Sequence, residues 1–172
     1  MSFKSRRGFT LIELLVVVAI IGVLTSVILA SLNTARAKAR DARRLLDMHH
    51  MQVALDLYYS DYGRYPDSDM LGTGNWDTSG PGGAEISGSF ITPLVNGVYL
   101  PSNLQDPTTN NTGGNYRYYR YPANQYGCTN AFYVLEIVDM ETSSGRYPSS
   151  PGWSCPLRNW TPEGEWITGK FE

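Results

Sequence analysis

Histidine and cysteine are scarce in this chain, with two of each among 172 residues. The two histidines, His49 and His50, are adjacent, and neighbouring positions on a helix diverge by about 100°, so they do not share a metal ion on one face. The sequence also lacks a Ser-His-Asp set, an H-E-x-x-H motif and a Gly-rich phosphate loop. We therefore expect no catalytic residue, no cofactor and no metal site, and we predict that the chain is not an enzyme.

A strong net charge is also absent. The formal net charge is -2, which does not provide the strongly basic face that nucleic acid selects. The basic residues are nevertheless clustered, because 8 of the 14 lie within the first 44 positions. They flank an apolar run, with Lys4, Arg6 and Arg7 before it and Arg36, Lys38, Arg40, Arg43 and Arg44 after it.

The apolar run extends over residues 9–32 and contains one charged side chain, Glu13. At a rise of about 1.5 Å per residue, a helix of this length covers roughly 36 Å, which is enough to cross a bilayer. A cleaved secretory signal fits poorly, because its apolar stretch is about 7–15 residues long. A plain single-span anchor remains an alternative at this point.

Glu13 is costly in such a segment. A carboxylate at the centre of a bilayer costs roughly 2.5–3.5 kcal/mol on insertion scales, and such residues are functional candidates. No Lys, Arg or His lies within the run to pair with it. We therefore expect its partner to come from elsewhere or to be created.

Residues 6–13, RRGFTLIE, together with the basic start and the long apolar run, resemble the type IV prepilin processing site. The resemblance implies that a prepilin peptidase cleaves after Gly8 and methylates the new terminal amine of Phe9. It also implies that Glu13 is the acid used in assembly. The physical account fits, because the amine exposed on Phe9 can pair with the Glu13 carboxylate of a neighbouring subunit and offset the cost of a buried charge.

The resemblance implies an α+β, type IV pilin-like fold, in which a long N-terminal helix packs on a small antiparallel sheet of three to four strands. The expected parts are a cytoplasmic leader (1–8, removed), a membrane helix (9–32), an amphipathic half (33–62) and a globular head (63–172). The implied partners are the lipid bilayer, the prepilin peptidase, an inner-membrane assembly platform and other copies in a filament. The precursor is then a single-pass inner-membrane protein, and the filament is periplasmic or at the cell surface.

The residues after the run continue the helix. An apolar stripe recurs at helical spacing and is expected to pack on the head. It comprises Ala35, Ala39, Ala42, Leu46, Val53 and Leu57, widened by Leu45, Met48 and Leu55. Gly63 is a plausible C-cap, with Pro66 just beyond it.

The head is predicted to contain three strands, at 116–121, 132–138 and 165–171, which are rich in aromatic and β-branched residues. Residues 67–89 have the composition of a solvated loop. Four residues in or near its first half, Asp67, Asp69, Asn75 and Asp77, are possible calcium ligands, but their spacing does not match an EF-hand loop.

Cys128 and Cys155 are expected to pair if the head lies outside the cytoplasm and to remain free thiols if it lies inside. A loop closed by such a disulfide resembles the C-terminal region of type IV pilins. The segment 91–107 instead resembles the region between helix and sheet in G-type pseudopilins of type II secretion. We predict a pilin subunit, with a type II secretion pseudopilin and a membrane-anchored binding domain as the alternatives.

Overall fold

The computed structural model describes residues 9–68, 76–79, 90–100, 104–108 and 114–172. The chain divides into two compact units, Met1–Ala37 and Lys38–Glu172. Residues 11–37 of the first unit belong to a helix, and the second unit contains the rest of that helix and the sheet.

Helix α1 extends over Leu11–Tyr62. No proline interrupts this stretch, so every residue can donate its amide to the helix ladder. The helix ends at Gly63, which has a φ of 68° and donates its amide to the carbonyl of Tyr59 over 2.8 Å. A glycine reaches this left-handed conformation without strain, and the predicted C-cap is confirmed.

The sheet contains four antiparallel strands in the order β1-β2-β3-β6. The strands are β1 (Asp77–Ser79), β2 (Tyr116–Tyr121), β3 (Phe132–Ile137) and β6 (Trp166–Phe171), and a separate two-stranded ribbon pairs β4 (Ser154–Cys155) with β5 (Arg158–Asn159). A short helix α2 (Thr92–Asn96) precedes β2 and has a proline in its first turn, where the missing amide donor is not needed. The long helix and the four-stranded sheet confirm the type IV pilin-like α+β fold.

The register places Tyr116 of β2 opposite Ile137 of β3, and Ile137 opposite Trp166 of β6. Alternate residues of β3 therefore point to opposite faces of the sheet, and both faces are covered, because all six residues of β3 are buried. Tyr133, Leu135 and Ile137 belong to the core shared with α1.

The prediction of a loop over residues 67–89 is wrong for the three residues that form β1. Asp77–Ser79 is a buried strand that pairs with residues 116–118 of β2. Its composition is polar, so propensity does not reveal it, and pairing with the edge of β2 supplies the backbone hydrogen bonds that a loop would take from water. The proposed calcium ligands Asp69 and Asn75 lie outside the described residues.

The prediction of the head-facing stripe of α1 is correct only in part. Met48 and Leu55 are buried and Leu45 packs against the core, as predicted, but the other six members are exposed: Ala35, Ala39, Ala42, Leu46, Val53 and Leu57. Leu46, Val53 and Leu57 are 51%, 46% and 52% exposed. The buried face lies opposite and comprises Asp41, Arg44, Asp47, Met48, Met51, Ala54 and Leu55. Three of these seven residues are charged, so hydropathy alone does not identify this face.

Candidate functional site

The N-terminus of α1 is a capping box built by Thr10 and Glu13. The amide and the hydroxyl of Thr10 both donate to Oε2 of Glu13, over 2.9 Å and 2.8 Å, and the amide of Glu13 donates back to the Thr10 hydroxyl over 3.3 Å. The first amides of a helix have no partner within it, and this reciprocal pair satisfies two of them.

The capping box provides Glu13 with a partner in its own chain. The T-x-x-E pattern of residues 10–13, directly before an apolar run, is the local signal of such a box, so this partner of Glu13 is predictable from the sequence. Both donors are neutral, so the carboxylate charge itself is not compensated, and Glu13 forms no ion pair among residues 9–68 or the described part of the head. Phe9 is 78% exposed, and Gly8 lies outside the described residues.

The run after Glu13 is exposed throughout. Every large apolar side chain from Phe9 to Leu32 is at least 40% exposed. Within the described part of the chain, α1 is the one helix that is long and apolar enough to span a membrane. The hydroxyls of Thr25 and Ser26 donate to the carbonyls of Ile21 and Val23, each over 2.7 Å, so these polar groups have a partner without water.

An ion cluster ties α1 to two loops of the head. Arg44, which is 1% exposed, donates from Nη1 to Oδ1 of Asp41 over 2.6 Å and from Nε to Oδ2 of Asp106 over 2.7 Å. Its Nη1 also lies 3.0 Å from Oε1 of Glu141, which Arg40 contacts with two further nitrogens. A buried charge is tolerated only when it is paired and hydrogen-bonded, and all three carboxylates meet that condition.

The electrostatics of the ion cluster follow from these contacts. Burial alone raises the pKa of Asp106, but hydrogen bonds from Arg44, Thr108 and Asn115 overcome this effect and lower the pKa to about 2. Burial of Asp41 is similarly outweighed by donors from Thr142, the Glu141 amide and Arg44, so its pKa is lowered as well. Local sequence patterns do not reveal this cluster, because Asp106 and Glu141 lie far along the chain from Arg44. Its members on α1, Arg40, Asp41 and Arg44, read as an ordinary charged helix face.

Cys128 and Cys155 form a disulfide with a Cα–Cα distance of 5.4 Å. The bridge belongs to a second core on the face of the sheet opposite α1, together with Phe132, Val134 and Trp160. Trp160 is fully buried and donates its indole N–H to the hydroxyl of Tyr121 over 3.2 Å. The disulfide therefore anchors the loop that covers this face.

The histidines and the possible calcium ligands lie in surroundings that differ from those of a metal site. His49 and His50 are both exposed. Asp67 pairs with the guanidinium groups of Arg64 and Arg120, and Asp77 is buried in β1. The described residues contain no group of three or more metal-binding side chains.

The type IV pilin-like fold begins with a segment that also matches a known family model. A family model described as prokaryotic N-terminal methylation motif matches residues 3–29. The chain thus carries the methylation motif at the position where the Gly8–Phe9 bond lies. No solved structure matches it significantly.

Relatives of two kinds were found. Type II secretion system core protein G of Pectobacterium carotovorum subsp. carotovorum is 39% identical over 65 residues, which are 38% of this chain and 42% of that protein. The core protein G of Escherichia coli K12 is also 39% identical over 65 residues. Type IV major pilin protein PilE1 of Neisseria gonorrhoeae is 30% identical over 111 residues, which are 63% of this chain and 64% of that protein. The chain thus spans less than half the length of these core protein G sequences, at 42% and 45%.

Proposed function

We propose that this chain is a pilin, a non-enzymatic subunit of a type IV pilus-like filament that is made as a membrane-anchored precursor. The observation that carries the proposal is the exposed apolar part of α1, which begins with the methylation motif and contains a single acid. A surface of this kind needs either lipid or other helices around it. In the precursor this apolar surface contacts lipid, and in the assembled subunit it contacts the helices of neighbouring subunits.

Processing changes the electrostatics of the helix start. A prepilin peptidase cuts the Gly8–Phe9 bond and methylates the new amine of Phe9. The amide of Thr10 is untouched by this cut, so the capping box persists, and a carboxylate has enough lone pairs to accept a further donor. The Phe9 amine of a neighbouring subunit then supplies the positive charge that Glu13 lacks within the described residues.

The exposed stripe of α1 fits the same assembly. Leu46, Val53 and Leu57 are about half exposed, and with Ala39 and Ala42 they repeat at spacings of three, four and seven residues. The small alanines permit a close approach of a second helix. The stripe thus extends the contact surface between subunits beyond the membrane helix.

The orientation follows from processing. The leader 1–8 stays in the cytoplasm, the helix crosses the inner membrane, and the head lies outside it, where the disulfide is stable. An inner-membrane assembly platform then moves the subunit from the lipid bilayer into a periplasmic or surface filament.

A second candidate function is that of a major pseudopilin of type II secretion. The similarity to core protein G favours it. The pilin proposal is preferred because the alignment with PilE1 extends over 63% of this chain, against 38% for core protein G. Deleting the gene distinguishes the two functions, since loss of surface filaments supports a pilin and loss of exoprotein secretion with intact pili supports a pseudopilin.

Mass spectrometry of the native protein tests processing directly. We expect an N-terminus at methylated Phe9, and a Gly8→Leu variant that keeps the eight-residue leader because the branched side chain obstructs the peptidase. A Ser5→Ala variant, changed within the leader, serves as the matched control and is processed normally. A working native protein that retains its leader contradicts the proposal and favours a membrane-anchored binding domain.

A further inference from the structure

A cleft lies on the head where β2 ends and a 3₁₀ turn (Gln125–Gly127) begins. Its volume is about 370 Å³, and its lining combines aromatic and polar side chains. The residues used below are Tyr119, Tyr121, Tyr126, Asp67, Arg120 and Gln125, and we call this surface the tyrosine cleft.

The aromatic wall of the tyrosine cleft is held in place from behind. The rings of Tyr119 and Tyr121 lie 4.4 Å apart, and Tyr121 stacks on the buried Phe132 at 4.9 Å. The hydroxyl of Tyr121 accepts a hydrogen bond from the indole N–H of Trp160, which holds the Tyr121 ring in place. Tyr121 therefore belongs to the second core, Tyr119 and Tyr126 pack against it, and the rings do not reorient freely.

Tyr126 completes the wall in a strained conformation. Its φ is 49°, a left-handed value that is uncommon for a bulky residue. The Arg158 guanidinium lies 4.9 Å from its ring centre and donates from Nη1 to its hydroxyl over 2.9 Å. The disulfide at Cys128 holds the next turn of the chain. Strain of this kind persists where surrounding contacts impose it, and it is common at binding sites.

The polar side of the tyrosine cleft is charged but balanced. Arg120 pairs with Asp67 over 2.9 Å and with Glu172 over 2.6 Å, and Asp67 also pairs with Arg64 over 3.2 Å. Two cations and two anions cancel, so the cleft favours neither a cation nor an anion as its ligand. Asp67 is 58% exposed and Gln125 is exposed, so a carboxylate and an amide remain accessible to a bound molecule.

We propose that the tyrosine cleft binds the hexopyranose ring of a neutral saccharide. Such a ring has an apolar C–H face that packs on tyrosine and a rim of hydroxyls that both donate and accept hydrogen bonds. Tyr119 and Tyr126 contact the apolar face. Asp67 accepts from the hydroxyls, Arg120 donates to them, and Gln125 does both. This binding activity is independent of filament assembly.

Saturation-transfer difference NMR on the full-length protein tests the proposal. The protein is held in a zwitterionic detergent without a sugar headgroup, and the probes are the methyl β-glycosides of glucose, galactose and N-acetylglucosamine. We expect transfer to the ring protons of at least one probe. Tyr126→Ala abolishes it, and Gln125→Ala, at an exposed position, weakens affinity about fivefold through the loss of one hydrogen bond.

Tyr62→Ala is the matched control, since Tyr62 is 60% exposed and lies outside the cleft. It leaves the transfer unchanged. Because Tyr126→Ala removes a contact of the second core, circular dichroism checks its fold, and Gln125→Ala provides the test if that variant unfolds. Three results overturn the proposal: no transfer to any probe, transfer that Gln125→Ala and Tyr126→Ala leave intact, or selective binding of tetramethylammonium, which indicates an aromatic cage for cations.

Discussion

Glu13 has two possible tasks, and its contacts allow them to be separated. As a cap it accepts hydrogen bonds from Thr10, and as an anion it can attract the Phe9 amine of a neighbour. A glutamine caps a helix in the same way as a glutamate but carries no charge. The charge can therefore be removed while the cap is kept.

We expect Glu13→Gln to keep the helix start and membrane insertion but to reduce filament yield at least tenfold, because a neutral amide does not compensate the amine. Thr10→Val provides the converse change: it removes a hydroxyl of the cap, costs about 1 kcal/mol and leaves filaments in place. Sheared filaments quantified by immunoblot, with total membrane-inserted protein as reference, measure both. Normal filaments from Glu13→Gln would show that the charge is not used.

Asp106 is a second residue whose role follows from its charge. Its folded pKa, about 2, lies below its ordinary value of 3.8, so the carboxylate stabilises the fold above pH 4 and this stabilisation is lost as the pH falls through about 2. The difference corresponds to about 2 kcal/mol at neutral pH.

We therefore expect Asp106→Asn to lower the free energy of unfolding by at least about 2 kcal/mol at pH 7, and the gap to wild type to narrow between pH 4 and pH 2. Urea unfolding of the detergent-solubilised protein at several pH values measures this gap. Asp56→Asn is the control, because Asp56 pairs with Lys170 at the surface and such pairs contribute about 0–1 kcal/mol. A gap that does not change with pH would contradict the assignment.

At the scale of elements, α1 has two distinct faces in its second half. At about 100° per residue, Leu55 lies on the opposite side of the helix from Leu46. Leu55 is fully buried against the sheet, whereas Leu46 is about half exposed. We infer that the exposed apolar residues, among them Leu46, Val53 and Leu57, form a surface for neighbouring subunits.

Substitutions on the exposed stripe test this inference. We expect Leu46→Gln with Val53→Gln to leave the free energy of unfolding within about 0.5 kcal/mol of wild type, since exposed side chains contribute little to folding. Filament yield falls severalfold, because apolar contact area between helices is lost. Leu157→Gln is the control, as Leu157 is 78% exposed and lies outside α1. Unaltered filament yield in the double variant would remove the stripe from the interface.

At the scale of the whole molecule, the head has two cores, one on each face of its sheet. The first joins α1 to the sheet, and the second holds Trp160, Phe132 and the disulfide. The disulfide closes residues 128–155 into a loop, and this loop supplies several members of the second core. The closed loop limits the conformations of the unfolded chain.

Removing the bridge should therefore destabilise the head. We expect a Cys128→Ser and Cys155→Ser double variant to lose roughly 3–4 kcal/mol, the chain-entropy value for a loop of this length. Urea unfolding with and without reductant measures the loss, and reductant should shift the wild type but not the variant. Equal midpoints for oxidised and reduced wild type would show that the disulfide does not stabilise the fold.

Much of the molecule could be predicted from local patterns. The apolar run, the C-cap at Gly63 and the strands near 116–121, 132–138 and 165–171 all follow from composition and spacing, because each pattern acts within a few residues. The capping box at Thr10 and Glu13 has an equally local signal, the T-x-x-E pattern of residues 10–13.

The sequence by itself thus determined the long helix, the three aromatic strands and the processing motif, since short-range physics specifies them. Only the tertiary structure decided which face of α1 is buried, that a polar segment becomes strand β1, and that Arg44 meets carboxylates from distant loops. The physical reason is that burial of a charge depends on partners contributed by other parts of the chain. Arg44 and Asp106 are 62 positions apart, and no local pattern records their contact.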